Sequence, residues 1–496
     1  MEKHRLEWAQ KWIQAPKTSW IGIEPFPSEN AGEFSAINPS TGEKITQLHL
    51  AGSKTVNAAV QSARAAFESA QWKGLHPKER AQSLNRIAAA IRAHHAELAT
   101  LETFENGKLY RESFEDDIPE AADVFEYYAG WATKIYGETC PTGPAYLNYT
   151  VREPLGVCAL VVPWNFPFLL ACWKISACLS MGNTAIVKPS PQTSSTLLRL
   201  MEILTQEKIL PPGVLNVVLG GSATGDLLSS HSGIDKISFT GSTSVGKRIV
   251  RQSGDSNLKA VTLELGGKSA NILFDDTPDL EFALERSFYA MFCHKGEKCS
   301  EPTRLFVHQK HYTQTLDFLS RKCEAVRCGD PFDPASDQGP QCTREQFEKI
   351  LSYIEIGKKE GARLIAGGSQ DTTGKNSKGF FVRPTVFADV HPQMKIAQDE
   401  IFGPVLAVTP FTSEAEVVEM ANSTIYGLAA GLWSSDISRA HRVASQLDAG
   451  MVFINRYGCY DFASPFGGFR QSGWGKEMSR DSLNSYTKTK SIWVKL

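Results

Sequence analysis

Residues 156–190 read GVCALVVPWNFPFLLACWKISACLSMGNTAIVKPS, and this stretch decides the fold. Its apolar run at 157–162 predicts a buried strand, residues 167–181 predict a helix, and residues 184–188 predict a second strand. Strands that alternate with helices at this spacing imply right-handed crossovers and a parallel sheet. Because ligands of such sheets bind at the carboxyl ends of the strands, the loops after 162 and 188 are candidate binding segments.

The same alternation runs through most of the chain, so the predicted fold class is α/β. Strands are expected at 215–219, 236–240, 264–274 and 304–307, and helices at 193–206, 278–298, 311–326 and 344–361. On the N-terminal side, apolar residues at three- and four-residue spacing predict long helices over 53–76 and 78–108. Residues 146–152 alternate like a hairpin strand outside the main layers, which favours either an arm that adds a strand to a partner subunit or an ordinary surface hairpin.

Length and composition limit the class of protein. The 496 residues suffice for two or three domains, and 42% hydrophobic with 21% charged residues is an ordinary globular balance. A net charge of −2 gives no electrostatic footprint for nucleic acid or an anionic membrane. The ten cysteines lack paired metal-ligand spacing, so we expect no metal site, reduced thiols and a cytoplasmic location.

Neither a secretory signal nor a membrane span is expected. The first residues carry charges where a signal peptide needs an apolar core. The most apolar region, 155–181, is interrupted by Pro163, Asn165, Pro167 and Lys174, so no stretch reaches the roughly 20 apolar residues of a span.

Cys299 is a candidate nucleophile. It follows Lys298, with His294 and Lys295 a short way upstream, and nearby cations favour the reactive thiolate. The alternative is a small, inert core residue, which is what most free cysteines are.

A glycine-rich turn at 239–247 is a candidate anion site. It lies between a predicted strand and a predicted helix, where unpaired amides and the helix dipole favour a phosphate. Arg248 stands where a Walker A loop requires Ser or Thr, which argues against a mononucleotide P-loop. A dinucleotide pyrophosphate and a plain helix cap both remain open.

Glu264 and Asn165 are candidates for the remaining chemistry. Glu264, between leucines at a strand end, would be desolvated enough to act as a general base, or it could simply pair with Lys268. Asn165, held between prolines, could donate to an oxyanion or serve only as a turn residue. A thiol, a base, an amide donor and a phosphate-binding loop together favour oxidation through a thioester over simple hydrolysis.

These pieces resemble the NAD(P)-dependent aldehyde dehydrogenase superfamily, in its hydrolytic branch that does not acylate coenzyme A. The resemblance runs over nearly the whole length. The matching motifs, in family order, are PWNFP (163–167), GNTAIVKPS (182–190), FTGS (239–242), LELGGKS (263–269), GEKC (296–299), EIFGPV (400–405) and PFGGFRQSG (465–473).

The resemblance implies a role for each matched residue. Cys299 would attack the aldehyde, Asn165 and the Cys299 amide would hold the oxyanion, and Glu264 would activate the water that cleaves the thioester. The implied cofactor is NAD, with NADP possible, held by Trp164, Lys188, Ser190, Gly225, Gly241, Ser242, Val245, Glu400 and Phe402. The implied substrate tunnel for a small-molecule aldehyde is lined by Phe166, Leu169, Leu170, Trp173, Lys298, Ser300, Tyr460 and Phe466.

The resemblance also implies a domain organisation. A Rossmann-type cofactor domain would comprise 1–134 and 153–264, an α/β catalytic domain 265–464, and a small β oligomerisation arm 135–152 and 478–496. The assembly would be a homodimer or homotetramer.

Two positions depart from the family pattern. Pro191 stands where many NAD-preferring members carry a glutamate that repels the 2′-phosphate of NADP. Ser300-Glu-Pro follows the nucleophile in place of the common small, glycine-containing sequence.

Two alternative functions make different predictions. A cysteine amidase or nitrilase would use Glu264, Lys268 and Cys299 without reducing a nucleotide. A structural protein on the same fold would have lost Cys299 or Glu264, and both are present.

Overall fold

The computed structural model describes residues 3–27 and 29–496. Within these ranges the larger of two main sheets has eight strands. Their spatial order is Glu24–Pro25, Trp20–Ile21, Leu215–Val217, Thr184–Lys188, Val157–Val161, Lys236–Thr240, Ala260–Glu264 and Gly473–Trp474. The five strands between 157 and 264 are mutually parallel, and four of them (157–161, 184–188, 215–217 and 236–240) are buried along their whole length, as is typical of a parallel sheet covered on both faces.

The chain order of these five strands, read across the sheet, is 3-2-1-4-5, the order of a Rossmann-type half. The order reverses between Val157–Val161 and Lys236–Thr240. Loops that leave the carboxyl ends of these two strands diverge and open a crevice, which is where such folds bind ligands. Helices of this half are Ser53–Glu68, Ala70–Lys73, Pro77–Ala93, His95–Asn106, Ile118–Trp131, Pro167–Ser180, Ser195–Gln206, Ser222–Ser230 and Thr243–Asp255, with Lys3–Gln14 at the N-terminus.

The second main sheet has seven strands among the described residues. Their order is Arg363–Ala366, Thr385–Ala388, Val405–Phe411, Arg304–His308, Ala270–Leu273, Ala429–Trp433 and Met451–Ile454, and only the first is antiparallel to its neighbour. The helices that follow along the chain are Leu280–Phe292, Tyr312–Ala325, Arg344–Lys359, Lys395–Gln398, Glu414–Ala421, Ile437–Gln446 and Asp481–Asn484. In the described ranges, no helix has the length and apolar content needed to cross a membrane.

A three-stranded sheet stands apart from both main sheets. Thr487–Lys495 pairs antiparallel with Tyr146–Pro154 over nine residue pairs, and Thr139–Cys140 adds a short third strand. Two further strands, Glu33–Ile37 and Lys44–His49, form a separate hairpin, and Tyr426–Gly427 pairs with Phe469–Arg470. The prediction of a strand at 146–152 is confirmed.

Three predictions of secondary structure were wrong. The helix expected over 278–298 ends at Phe292, because His294 and Lys295 adopt left-handed dihedral angles. The long helices expected over 53–76 and 78–108 are four helices, because Ser69 adopts extended dihedral angles, Pro77 opens a new helix capped by His76, and His94 leaves the helical region. The single strand expected at 264–274 is two strands in different sheets. The chain crosses between the sheets at 265–269, where Gly266 and Gly267 interrupt the strand.

Candidate active site

A cavity of about 180 Å³ lies at the carboxyl edge of the larger sheet, at the switch point between its strands. Its lining includes eleven of the residues predicted from sequence: Trp164, Asn165, Leu170, Trp173, Gly241, Ser242, Glu264, Cys299, Glu400, Phe402 and Phe466. These residues come from both main sheets and their loops. The fold therefore gathers motifs that are up to about 300 residues apart into one site.

The crossing loop at 265–269 holds two sides of this cavity together. A Cβ on Gly267 would lie 2.3 Å from the carbonyl oxygen of Cys299, and a Cβ on Gly266 would lie 2.5 Å from Oε2 of Glu400. Both separations are too short for any side chain, so the two glycines permit the close approach of Cys299 and Glu400. The Gly267 amide also donates to Oε1 of Glu400 over 3.0 Å.

Asn165 lies at the start of the helix Pro167–Ser180 and is 5% exposed. Its Nδ2 donates to the carbonyl oxygen of Glu297 over 2.8 Å, and that contact orients the amide toward the segment that carries Cys299. An amide nitrogen carries two hydrogens, so the second hydrogen is available to the cavity. Asn165 lines the cavity and can donate a second hydrogen bond there.

Glu264 ends the strand Ala260–Glu264 and is buried in the wall of the cavity. Its Oε2 has no hydrogen-bond partner among the described residues. Burial, and then the negative charge of Glu477, raises the pKa of Glu264 well above its ordinary value. A carboxyl group poised in this way can accept a proton from a water in the cavity.

Lys174 and Glu477 form a buried ion pair beside Glu264 that the sequence reasoning missed. Nζ of Lys174 contacts Oε1 of Glu477 and donates to Oγ of Ser238 over 2.9 Å. Both charged residues line the cavity, and their charges act in opposite directions on the pKa of Glu264. A lysine inside the most apolar stretch of the chain was the available signal, because a buried lysine needs a carboxylate partner.

The cations around Cys299 do not hydrogen-bond to its thiol, so the expectation that they favour the thiolate of Cys299 was wrong. Nζ of Lys298 donates to Sγ of Cys293, and Nζ of Lys295 donates to the carbonyl oxygen of Asn106. Burial lowers the pKa of His294 well below its ordinary value, which leaves the imidazole neutral. Burial, with the charges of Glu264 and Glu400, raises the pKa of the Cys299 thiol to about 12.

A second group of predicted residues lies along the carboxyl edge of the sheet, next to the cavity. Lys188 is buried, donates to the carbonyl oxygen of Gly220 over 2.8 Å, and burial lowers its pKa to about 8. Ser242 caps the helix Thr243–Asp255 by accepting from the amide of Val245 over 3.5 Å. The space beside Gly225 is open. An ammonium group and a capped, accessible helix N-terminus fit the ribose and phosphates of a dinucleotide.

A partly buried carboxylate and two aromatic rings line another part of the cavity. Glu400 reaches the cavity, and burial raises its pKa. The rings of Phe402 and Trp164 meet edge to face with centroids 5.4 Å apart. Phe402 has a φ of 62°, and Gln346 holds it there by donating to its carbonyl oxygen over 2.6 Å.

The predicted tunnel residues divide into two groups. Leu170, Trp173 and Phe466 line the cavity, and the rings of Trp173 and Phe466 lie 5.4 Å apart. The other five lie outside that lining in the described structure: Phe166, Leu169, Lys298, Ser300 and Tyr460. Leu169 is 4% exposed in the core, whereas Ser300 Oγ and the Tyr460 hydroxyl form a hydrogen bond of 2.7 Å.

The amidase alternative requires Lys268 beside Cys299 and Glu264. Lys268 instead borders a separate small pocket with Arg304 and Asp448. Burial, with the charge of Arg304, lowers its pKa to about 7, and Nζ has no hydrogen-bond partner among the described residues. No Cys–Glu–Lys triad is assembled in this part of the structure.

Comparison with known proteins agrees with this geometry. A family model described as "Aldehyde dehydrogenase family" matches residues 26–492. The chain is 43% identical to human retinal dehydrogenase 2 over 95% of this chain and 90% of that protein. It is 45% identical to the rat protein "Aldehyde dehydrogenase, cytosolic 1" over 96% of this chain and 94% of that protein. A solved NAD+ complex of an aldehyde dehydrogenase from Bacillus cereus superposes with a TM-score of 0.95 at 41% identity, covering 100% of this chain and 99% of that one.

Proposed function

The chain belongs to the aldehyde dehydrogenase family, and from that premise we propose how its own residues divide the work of oxidising an aldehyde to a carboxylic acid. The observation that carries the proposal is a single cavity that contains a thiol, an amide donor and a carboxyl group of raised pKa. Cys299, Asn165 and Glu264 supply these three groups.

Cys299 Sγ attacks the carbonyl carbon of the aldehyde. The free N–H of the Asn165 side chain, together with the Cys299 backbone amide, holds the oxyanion of the resulting thiohemiacetal. Because the thiol pKa is raised in the free protein, the thiol must lose its proton before or during attack. Glu264 is one of three carboxylates that line the same cavity, and it is the one that we assign to receive that proton.

Glu264 then serves the second half of the reaction, in which water cleaves the thioester. Its burial keeps the carboxylate poorly solvated and therefore a stronger base than a surface glutamate. The Lys174–Glu477 pair tunes the pKa of Glu264, because the charge of Glu477 raises that pKa and the charge of Lys174 lowers it. After hydrolysis the carboxylic acid leaves and the thiol is restored.

NAD is the cofactor, and when bound it supplies the acceptor for the hydride that leaves the substrate. The solved relative with NAD+ supports NAD as the cofactor, and Lys188, Ser242 and Glu400 would hold it. Trp164, Ser190, Gly225, Gly241, Val245 and Phe402 complete the proposed binding groove.

NADP is also accepted, because Pro191 offers no carboxylate to repel a 2′-phosphate. We expect kcat/KM for NADP to lie within about tenfold of that for NAD, a difference of about 1.4 kcal/mol. Pro191→Glu should widen this gap at least tenfold by adding a negative charge. If kcat/KM of the unaltered protein is already a thousandfold lower for NADP than for NAD, Pro191 does not make the site tolerant of the 2′-phosphate.

The arm supports a homodimer or homotetramer of this chain. Trp493, Val494, Tyr146 and Leu147 expose between 40% and 62% of their surface, and Tyr146 packs edge to face on Trp493. Exposed apolar side chains on a strand are suited to an interface. Light scattering should give a dimer or larger, and Trp493→Asp should shift the protein toward monomer.

We propose a division into domains that the presence of two main sheets supports. Residues 1–134 and 153–264 bind the cofactor, 265–464 carry the nucleophile, and 135–152 with 478–496 form the arm. All ten cysteines are free, which fits a reducing, cytoplasmic compartment.

The deciding experiment is the ultraviolet absorbance of reduced NAD, recorded with the full-length protein and a panel of aliphatic, aromatic, amino and carboxylated aldehydes. At least one aldehyde should reduce NAD stoichiometrically with acid formation. If a folded preparation reduces neither nucleotide with any aldehyde, the proposal fails.

A further inference from the structure

Cys293 and Lys298 face each other across a turn in the segment that carries Cys299. Nζ of Lys298 donates to Sγ of Cys293 over 2.9 Å. The chain folds back because His294, Lys295 and Gly296 have φ values of 48°, 65° and 74°. Two consecutive non-glycine residues in the left-handed region are uncommon, so the surrounding structure must hold this turn in place.

A buried carboxylate accompanies the pair. Glu301 is 2% exposed, and neither of its side-chain oxygens has a hydrogen-bond partner among the described residues. Burial opposes the charge on Lys298, but Cys293 and Glu301 outweigh it and raise the pKa of the ammonium group. The ammonium therefore stays beside the sulfur. Burial raises the pKa of the Cys293 thiol to about 11 and the charge of Lys298 opposes this rise, so the thiolate is the minor form of the pair and the one that Lys298 stabilises.

Cys293 can be reached from outside. It is partly exposed and borders a surface cavity of about 480 Å³, together with Phe288, Tyr289 and Phe292. The catalytic cavity, which contains Cys299, has a different lining. A small oxidant can thus approach Cys293 by a route of its own.

We propose that Cys293 and Lys298 form a reversible sulfur–nitrogen cross-link when hydrogen peroxide enters the surface cavity. In the first step the thiolate–ammonium form of the pair reacts. The thiolate attacks one peroxide oxygen, the O–O bond breaks, and the departing hydroxide takes a proton from the ammonium. The products are a sulfenic acid, a neutral amine and one water, with sulfur oxidised and peroxide reduced.

In the second step the Lys298 amine attacks the sulfenic sulfur. An S–N bond forms, the S–O bond breaks, and the hydroxyl leaves with an amine proton as a second water. Two equivalents of thiol reverse the reaction and restore the cysteine and the amine, with one disulfide as the oxidised product. The amine thereby intercepts the sulfenic acid before a second peroxide converts it irreversibly to sulfinic acid. This inference is independent of which aldehyde the enzyme oxidises.

Peptide mapping of the full-length protein tests the proposal directly. The protein is treated with hydrogen peroxide, alkylated, and digested with trypsin without reductant. Because a cross-linked Lys298 resists trypsin, residues 287–295 and 296–304 should appear as one linked species, lighter by two hydrogen atoms than the two peptides together. Dithiothreitol should separate it and restore cleavage after Lys298.

Two variants separate the pair from general oxidation. Lys298→Arg keeps a positive charge but has no amine that can be freed of its proton, so the linked species should fall at least about tenfold and Cys293 should accumulate as sulfinic acid. Cys459→Ser removes an exposed cysteine elsewhere and should leave the linked species unchanged. Failure of the unaltered protein to give the linked species, or its persistence in Lys298→Arg, would overturn the proposal.

Discussion

Lys174 and Lys298 lie in two regions near Cys299, the proposed nucleophile, yet they contact different groups. Lys174 is 1% exposed and pairs with the carboxylate of Glu477 beside Glu264, the proposed general base. Lys298 precedes Cys299 in the chain, but its hydrogen-bond partner is the thiol of Cys293. A carboxylate partner is chemically inert and fixes a charge, whereas a thiol partner can be oxidised. Lys298 is therefore adjacent to Cys299 in sequence but contributes its hydrogen bond to a different cysteine.

The largest expected effect distinguishes the two cysteines of this segment. Cys299→Ser should lower kcat by at least about 10⁴-fold, because a hydroxyl is a much weaker nucleophile than a thiolate. The matched change, Cys293→Ser, should lower it less than about threefold, since Cys293 lies outside the catalytic cavity. Reduction of NAD with a saturating aldehyde measures both. Equal losses in the two variants would contradict the assignment of the nucleophile.

The second effect concerns the general base. Glu264→Gln keeps the shape of the side chain but cannot accept a proton, so the thioester should form and then persist. We expect a burst of reduced NAD equal to the number of active sites, followed by a steady rate lowered about 10²- to 10³-fold. Stopped-flow absorbance separates the two phases. An unchanged steady rate would remove Glu264 from the hydrolysis step.

Much of this site could be predicted from sequence because the motifs are local. Asn165 and Glu264 lie at a helix start and a strand end that the alternating pattern identifies, and the sheet edge that they share also receives the turn that carries Cys299. The contact of Lys174 with Glu477 could not be predicted in this way, since it joins residues 303 positions apart through the tertiary fold. The direction of the Lys298 side chain was equally hidden, because it depends on left-handed dihedral angles at both His294 and Lys295, and a lysine does not favour that region.

A third test asks whether the ion pair beside the base tunes it. The charge of Glu477 raises the pKa of Glu264, so Glu477→Gln should lower that pKa. A general base acts when deprotonated, and the rising limb of kcat against pH should therefore move to lower pH, by roughly one unit. Lys298→Met removes a charge on the other side of Cys299 and should leave this limb in place. If the rising limb moved only in Lys298→Met, Lys298 and not Glu477 would set the pKa of Glu264.

The smallest effect is on stability, where the two regions should behave differently. Burial raises the pKa of Glu264 above its value in the unfolded chain, so the folded protein holds the proton more tightly. This contribution to stability is present at acid pH and is lost as pH rises through the folded-state pKa. Glu264→Gln should therefore raise the free energy of unfolding at alkaline pH, on the order of 1 kcal/mol, and change it little at acid pH.

Glu301 is buried with a raised pKa as well, but its substitution should stabilise the protein less. Burial raises this pKa and the charge of Lys298 lowers it, so Glu301→Gln removes a costly buried carboxylate and also the negative charge beside the Lys298 ammonium. An ammonium that loses its partner is costly when buried, and this cost offsets part of the gain. Thermal unfolding at several pH values should show both variants more stable than the unaltered protein above neutral pH, with the smaller gain in Glu301→Gln. If both variants are stabilised alike, Glu301 does not hold the charge of Lys298, and the thiol of Cys293 is its main partner.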